Sequence, residues 1–370
     1  MKLLNVFLSF SLAFSSFTLK DNIDSIISNM TLEEKVGQMF FIRLEALDPD
    51  YISDVESGKY IVHDIINEDM LNTYNDYPCG GIVLFNRNLN DDRQLIELTN
   101  SIHKLKYSPL VCIDEEGGAV SRIANSNKFN IKKTLDNDEI ETMQDAYNKG
   151  QYIGSYLNKY HIDIDFAPVA DLNINPKNPV IGSRSFGSNP DETSDLVNSF
   201  IDGLHTNNIY ACTKHFPGHG NTKGDSHKDS VYIEATKQEL LNTELLPFIN
   251  SLDNTDMVMT GHIETPNITN DNLPASLSKQ IVTDLLRNEL GYDGLIITDS
   301  LEMGAISKYY SPSEAAIMAI NAGVDIILMP EKYKEAFDGV IDAVNKNEIS
   351  EERINESVKK ILKLKQNKID

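Results

Sequence analysis

Residues 109–117 read PLVCIDEEG, a short apolar run that ends in three consecutive carboxylates. The same arrangement, an apolar β-branched run followed by a loop and usually by an amphipathic stretch, occurs eight times. The other runs are VGQMFFIRL (36–44), GGIVLFNRN (80–88), IDFAPVADL (164–172), IYACTKHF (209–216), DMVMTGHIE (256–264), GLIITDSLE (294–302) and VDIILMP (324–330). Buried strands that alternate with helices indicate a parallel sheet. Eight such units predict an α/β fold, a single (β/α)8 TIM barrel without a second domain.

The stretches between the runs carry helix-end signals. Thr31 and Glu34 fit a capping box, Ser278 is predicted as an N-cap, and Gly291 is predicted to end that helix. The alternative architecture, an open doubly wound sheet, more often shows a glycine fingerprint after its first strand, and this sequence has none. Residues 45–78 are acidic and longer than a βα connection needs, so we expect an elaborated loop with a short helix there.

Charge and cysteine content limit the classes of function. The 370-residue chain has a formal net charge of -23, which disfavours nucleic acid and anionic membrane surfaces as partners. Its three cysteines cannot all pair within the chain. Cys112 and Cys212 lie in apolar runs, so we expect buried free thiols.

The chain begins MKLLNVFLSFSLAFSS, with one lysine followed by an apolar run over residues 3–14. This pattern is typical of a secretory signal and is too short to span a bilayer. We therefore expect a signal peptide at residues 1–19, a barrel domain at 20–370, and an exported protein without a membrane anchor. A cytoplasmic protein whose first residues pack on the domain is the alternative.

Polar residues gather where the predicted strands end. In a barrel of this type the active site lies at the carboxyl ends of the strands. The candidates there are Asp114, Arg184, Lys214, His215, His262 and Asp299. Such hydrogen-bonding groups suit a ligand rich in hydroxyls. Asp299 follows a buried run and would be a rigidly held carboxylate, which makes it a candidate nucleophile or base.

Residues 214–227, KHFPGHGNTKGDSH, contain three histidines and one aspartate. They leave open a metal-dependent hydrolase in which His215, His219, Asp225 and His227 bind zinc. Metal sites on barrels usually begin with an H-x-H pair on the first strand, which is absent here, so we expect no metal. The glycines at 218, 220 and 224 predict a bendable loop.

A set of motifs in this sequence resembles those of a known family. LEEKVGQMF, IDEEGGAVSR, FAPVADLN, GSRSFG, KHFPGHG with DSH, and IITDSLEMGAI occur in this order between about residues 30 and 364. Together they resemble the family 3 glycoside hydrolases, and within them the single-barrel β-N-acetylglucosaminidases. KHFPGHG followed by DSH is the most specific of these motifs.

The resemblance implies a role for each matching residue. Asp299 would be the nucleophile, His227 the general acid/base, and Asp225 the residue that orients His227. Sugar hydroxyls would be bound by Asp114, Arg122, Arg184, Lys214 and His215, with His262 as a further candidate for lining the site. His219 would anchor the loop. Glu115 stands where many members have glutamine, which would be a feature of the surroundings of the site.

The resemblance therefore implies a retaining exo-β-N-acetylglucosaminidase that acts on terminal GlcNAc of peptidoglycan fragments or related glycans, through a covalent glycosyl-aspartate. It implies a small carbohydrate substrate, no cofactor and no obligate protein partner. Three alternatives stay open: a β-glucosidase or β-xylosidase, a GlcNAc phosphorylase using the same residues, and a non-catalytic carbohydrate-binding barrel. The last would be expected to lack Asp299 or His227.

Overall fold

Eight short parallel strands form the central sheet, and the computed structural model describes residues 22–367. The strands are β1 Phe40–Arg43, β2 Gly81–Val83, β3 Leu110–Ile113, β4 Ile164–Asp165, β5 Tyr210–Phe216, β6 Met257–Thr260, β7 Leu295–Thr298 and β8 Ile327–Leu328. Each lies within one of the eight apolar runs. Neighbours in sequence are neighbours in the sheet, β8 pairs with β1, and a parallel bridge between Ile297 and Ile326 closes the ring. The predicted (β/α)8 barrel is confirmed.

Helices surround this sheet. They are α1 Ile23–Asn29, α2 Leu32–Gln38, α3 Tyr51–Glu56, α4 Glu68–Asp76, α5 Asp92–His103, α6 Met143–Lys159, α7 Pro190–His205, α8 Lys237–Asn242, α9 Leu246–Ser251, α10 Gly304–Ser307, α11 Pro312–Ala322, α12 Tyr333–Asn345 and α13 Glu351–Asn367, with a π-helix at Gln280–Glu289. Short 3-10 turns lie at Leu44–Leu47, Asn86–Asn88, Asn137–Glu139, Gly182–Arg184 and Ala275–Leu277. Within the part of the chain that the structure describes, no helix is both long and apolar enough to cross a membrane.

The helix-end signals are largely confirmed. The Thr31 side chain and Glu34 form the predicted capping box at the start of α2. Gly291 has a φ of +75°, a left-handed conformation that glycine adopts at little cost, and it follows the π-helix as predicted. Ser278 caps this helix as predicted, because its side-chain oxygen accepts from the amide of Ile281 at 3.4 Å and the backbone of Lys279 is already helical.

The acidic insertion contains two short helices, α3 and α4, where one was expected. Helix α4 connects β1 to β2 in the usual way, so the additional segment is limited to residues 44–67. This segment is attached near the carboxyl end of β2 by Asn88, whose side-chain amide donates to Glu45 and to the carbonyl of His63, both at 2.7 Å.

The core is continuous from the barrel interior to the helices, and all three cysteines lie in it as free thiols. Burial raises the pKa of Cys79 to about 12 and raises the pKa of Cys212 further. The expected signal peptide at residues 1–19 lies outside the described residues, as does the expected domain start at residue 20.

Candidate active site

A cavity of about 450 Å³ opens at the carboxyl ends of the barrel strands. Its lining includes Asp114, Glu116, Arg122, Arg184, Lys214, His215, Asp225, His227 and Asp299. All eight residues predicted for catalysis or sugar binding therefore line one cavity, although they are separated by up to 185 positions in sequence. Parallel strands place their carboxyl ends on one side of a barrel, so residues that follow different strands can meet there.

Glu116 joins two of the predicted sugar-binding cations. Its carboxylate accepts from Nε and Nη2 of Arg184 at 2.9 and 2.7 Å and from Nζ of Lys214 at 2.6 Å. Burial alone would raise the pKa of Glu116, but the charges of Arg184 and Lys214 lower it to about 2. Burial would lower the pKa of Lys214, but the charges of Asp114 and Glu116 raise it. These three side chains are thus fixed in place and ionised at neutral pH.

Asp114 extends the ionic network. One carboxylate oxygen accepts from Nζ of Lys214 at 2.9 Å and the other from Nη2 of Arg122 at 3.0 Å. Burial opposes ionisation of Asp114, but the charges of Lys214 and Arg122 hold its pKa well below the usual range. The result is a wall of fixed donors and acceptors, which suits hydroxyl groups better than apolar ones.

Glu115 points away from the cavity, in keeping with its expected place in the surroundings of the site. Its carboxylate accepts from the backbone amides of Arg122, Ile123 and Ala124 at 2.6–2.9 Å, and from the hydroxyl of Tyr156 at 2.9 Å. It therefore holds the turn that carries Arg122. A glutamine would present an amide donor where these contacts need an acceptor.

Asp171, for which no role was expected, orients His215. Nδ1 of His215 lies 2.6 Å from a carboxylate oxygen of Asp171, which also accepts from the His215 amide at 3.1 Å. The other oxygen accepts from the His219 amide. Burial opposes ionisation of Asp171, but His215 lowers its pKa overall. This contact directs Nε2 of His215 towards Arg184, at 3.5 Å.

Asp299 follows β7 directly. Its amide donates to the carbonyl of Thr260 at 2.8 Å, and one carboxylate oxygen accepts from the amide of Ser300 at 2.7 Å. Burial would raise the pKa of Asp299, but the neighbouring His215 ring and the Ser300 amide contribute to an overall lowering. The carboxylate is therefore ionised at neutral pH, as a nucleophile requires.

His227 and Asp225 lie on the loop after β5, which we call the acid/base loop (residues 217–230). Nδ1 of His227 lies 2.9 Å from a carboxylate oxygen of Asp225. The His227 side chain is 62% exposed, and among residues 22–367 its Nε2 has no hydrogen-bond partner. Because a carboxylate only accepts, Nδ1 carries a proton and Nε2 is left to exchange one with a ligand.

His219 anchors the acid/base loop, in agreement with the role expected for it. Its Nε2 lies 2.9 Å from the hydroxyl of Ser226, and its Nδ1 lies 2.9 Å from that of Thr222. The loop glycines do more than permit bending. A Cβ at Gly220 would lie 1.6 Å from the carbonyl oxygen of Leu172, so this position requires glycine because the two backbones approach closely.

His262 does not line the cavity, which corrects the expectation for it. Its Nδ1 lies 2.8 Å from the hydroxyl of Ser276, and its Nε2 lies 2.8 Å from the carbonyl oxygen of Ser300. A carbonyl only accepts, so Nε2 carries the proton. Burial lowers the pKa of His262. His262 therefore holds the backbone of Ser300, the residue that follows Asp299.

The sequence reading missed Glu116, Asp171 and the pair formed by Arg43 and Glu302. Arg43 donates to Glu302, which lines the cavity beyond Asp299. Position after a predicted strand is the sequence signal that could have indicated Glu116 and Asp171. Within the described residues, no group of three or more histidines, cysteines or acidic residues could hold a metal ion.

Comparisons with known proteins give one consistent result. The family model described as glycosyl hydrolase family 3 N-terminal domain matches residues 31–364. Beta-hexosaminidase A of Pseudoalteromonas piscicida is 34% identical over 319 residues, which are 78% of this chain and 53% of that protein. Beta-hexosaminidase of Tolumonas auensis is 34% identical over 253 residues, which are 67% of this chain and 75% of that protein.

Among solved structures, a glycoside hydrolase family 3 β-N-acetylglucosaminidase from Paenibacillus sp. matches with a TM-score of 0.83 and 34% identity. The match covers 92% of this chain and 63% of that one. This chain thus spans about half the length of the Pseudoalteromonas protein and less than two thirds of the Paenibacillus protein.

Proposed function

The chain belongs to glycoside hydrolase family 3, and from this premise we propose that it is a retaining exo-acting β-N-acetylglucosaminidase. The observation that carries the proposal is the placement of an ionised carboxylate, Asp299, and a histidine–aspartate pair, His227 with Asp225, on one cavity. Most glycosidases use two carboxylates. Here the histidine would take the place of the second one.

In the first step, a carboxylate oxygen of Asp299 attacks the anomeric carbon of the terminal sugar. Nε2 of the protonated His227 gives its proton to the glycosidic oxygen, and the leaving group departs as an alcohol. Asp225 accepts from Nδ1 and fixes the orientation of the ring during the transfer. The product of this step is a glycosyl ester of Asp299 with inverted configuration.

In the second step, neutral His227 accepts a proton from water at Nε2, and the water oxygen attacks the anomeric carbon. The ester bond breaks, Asp299 returns to its ionised form, and the sugar leaves with its original configuration. Two inversions give retention. Throughout, the network of Asp114, Glu116 and Lys214 would hold the sugar hydroxyls in one orientation, which lowers the entropic part of the barrier.

The choice of sugar rests on the relatives, since two are described as β-hexosaminidases and a third as a β-N-acetylglucosaminidase. It is tested by comparing kcat/KM for the p-nitrophenyl β-glycosides of GlcNAc, glucose and xylose. We expect GlcNAc to be preferred by at least about tenfold, as expected when a pocket complements one extra group. The variant Asp299→Asn supplies the background rate. Faster cleavage of the glucoside or xyloside would contradict the proposed preference for GlcNAc.

A further inference from the structure

The acid/base loop is held at its first part and borders a hollow further on. The side-chain amides of Asn175 and Asn178 donate to the carbonyls of Thr222 and His219 at 2.9 and 2.8 Å. The hollow has a volume of about 680 Å³. Its lining includes Asn221, Lys223 and Ser230 of the loop, and Glu239, Thr243 and Glu244 across from them. The hollow leaves space beside the later part of the loop, so the contacts made by residues 226–229 matter for where His227 lies.

Residues 226–229 contact a short segment that follows Asp299, and we call residues 304–309 the docking segment. The amide of Gly304 donates to the carbonyl of His227 at 3.1 Å, and the amide of Ala305 donates to the carbonyl of Ser226 at 3.2 Å. The acid/base residue is thus bonded through its own backbone to a residue only five positions after Asp299.

A second pair of contacts joins the far end of the loop to the docking segment. The carboxylate of Asp229 accepts from the hydroxyl of Tyr309 and from Nζ of Lys308, the latter at 3.2 Å. These side chains are exposed, so the contacts can be removed without disturbing the core.

Gly304 leaves no space for a side chain. A Cβ built there would lie 2.5 Å from the carbonyl oxygen of Lys228 and 3.0 Å from that of His227. Both atoms belong to the loop backbone, so the loop itself would have to shift. The docking segment cannot easily shift in its place, because the amides of Leu301 and Glu302 donate to the carbonyls of Leu328 and Met329 at 2.9 and 3.1 Å, at the end of β8.

We propose that the docking segment sets the position of His227 relative to Asp299, with Gly304 and Tyr309 as positioning residues. Gly304 lets the two backbones meet, and Tyr309 holds the loop closed through Asp229. The inference rests on the proposed role of His227 as acid/base. It predicts that a change in the docking segment impairs protonation of the leaving group without removing the nucleophile.

The test compares kcat/KM for p-nitrophenyl β-GlcNAc, whose leaving group needs little protonation, with kcat/KM for chitobiose, whose leaving group is a sugar alcohol. A displacement of about 1 Å can cost about 100-fold in rate. We expect Gly304→Ala to lose about 100-fold on chitobiose and less than about tenfold on the nitrophenyl substrate. Tyr309→Phe removes one hydroxyl, and we expect the same selectivity with a loss of about three- to tenfold on chitobiose.

Two controls separate positioning from other causes. Tyr310→Phe removes a neighbouring hydroxyl that does not contact Asp229, and it should leave the ratio of the two rates unchanged. His227→Ala is the benchmark for a lost acid/base, worth roughly 100- to 10,000-fold on the poor leaving group. Thermal unfolding of each variant shows whether it is folded, and Tyr309→Phe keeps the test valid if Gly304→Ala does not fold.

The outcomes distinguish the two proposals. Selective loss in His227→Ala and in either docking variant supports the inference. Selective loss in His227→Ala, with equal losses on both substrates in Gly304→Ala and Tyr309→Phe, overturns the inference and leaves the proposed function standing. Equal losses in His227→Ala reject the acid/base assignment itself, and with it the inference.

Discussion

Replacing Glu116 by glutamine should destabilise the folded protein, because it removes the carboxylate that two cations of the site share. The carboxylate neutralises Arg184 and Lys214, and Glu116 is only 2% exposed. The substitution keeps the size of the side chain but leaves two cations without their shared partner. Breaking a buried ion pair from one side typically costs about 3–5 kcal/mol, because an uncompensated charge remains.

The pKa of Glu116 leads to a similar contribution to the free energy of unfolding. It lies at about 2 in the folded protein against an ordinary value of 4.5. Each pKa unit corresponds to about 1.4 kcal/mol, so the ionised carboxylate contributes about 3 kcal/mol to the free energy of unfolding. Because the folded-state pKa is the lower one, this contribution is complete above the ordinary pKa and is lost as the pH falls towards 2.

The assay is urea unfolding of wild type and Glu116→Gln at pH 7 and at steps down to pH 4. We expect the variant to have a free energy of unfolding lower by about 3 kcal/mol at pH 7, and the difference to narrow below about pH 5. Glu348→Gln, which changes an exposed carboxylate, should behave as wild type. A loss below about 1 kcal/mol at pH 7, as for a surface ion pair, would refute the reasoning.

Four other predictions follow from the site and the sequence. Asp299→Asn should lower kcat by several orders of magnitude and leave thermal unfolding unchanged, because no other group can form the glycosyl ester; a variant that keeps a tenth of wild-type activity would contradict this. Burial lowers the pKa of His219 to about 4. Above pH 6.5 the ring is neutral in the folded and the unfolded chain, so the free energy of unfolding should decrease only as the pH falls from 6.5 towards 4. His219→Asn should decrease less steeply over that range, as urea unfolding would measure. A histidine acid/base does not repel anions as a carboxylate does, so phosphate at millimolar concentration should yield some GlcNAc-1-phosphate; free GlcNAc as sole product would indicate that Asp225 and the acidic groups around Asp114 exclude anions. N-terminal sequencing of the native protein should begin near residue 20, and a start at Met1 would reject export.

The sequence predicted the barrel because its evidence is local and repeated. A buried parallel strand needs a continuous apolar run, and eight runs with helices between them leave few other architectures. The positions of Asp114, Lys214 and Asp299 followed from the same rule, since each lies at or directly after the carboxyl end of a strand. Their meeting in one cavity is a property of the closed sheet, and no single motif carries it.

The contacts between site residues could not be predicted in the same way. Glu116 reaches Arg184 from the bend after β3, and Asp171 reaches His215 from the segment that follows β4. The direction of a side chain beyond a strand end depends on that local bend. The side-chain direction of His262 could not be predicted either. It follows β6 as predicted, but its ring turns behind Ser300 and away from the cavity.

The three cysteines have a consequence for where this chain can fold. Each cysteine is buried and forms no disulfide within residues 22–367, and burial raises the pKa of Cys79 and Cys212 so far that the reactive thiolate is scarce at neutral pH. The fold then needs neither an oxidant to complete it nor a reductant to protect it. The same folded chain is compatible with a reducing cell interior and with an oxidising exterior. Cysteine chemistry therefore does not distinguish the exported protein from the cytoplasmic alternative.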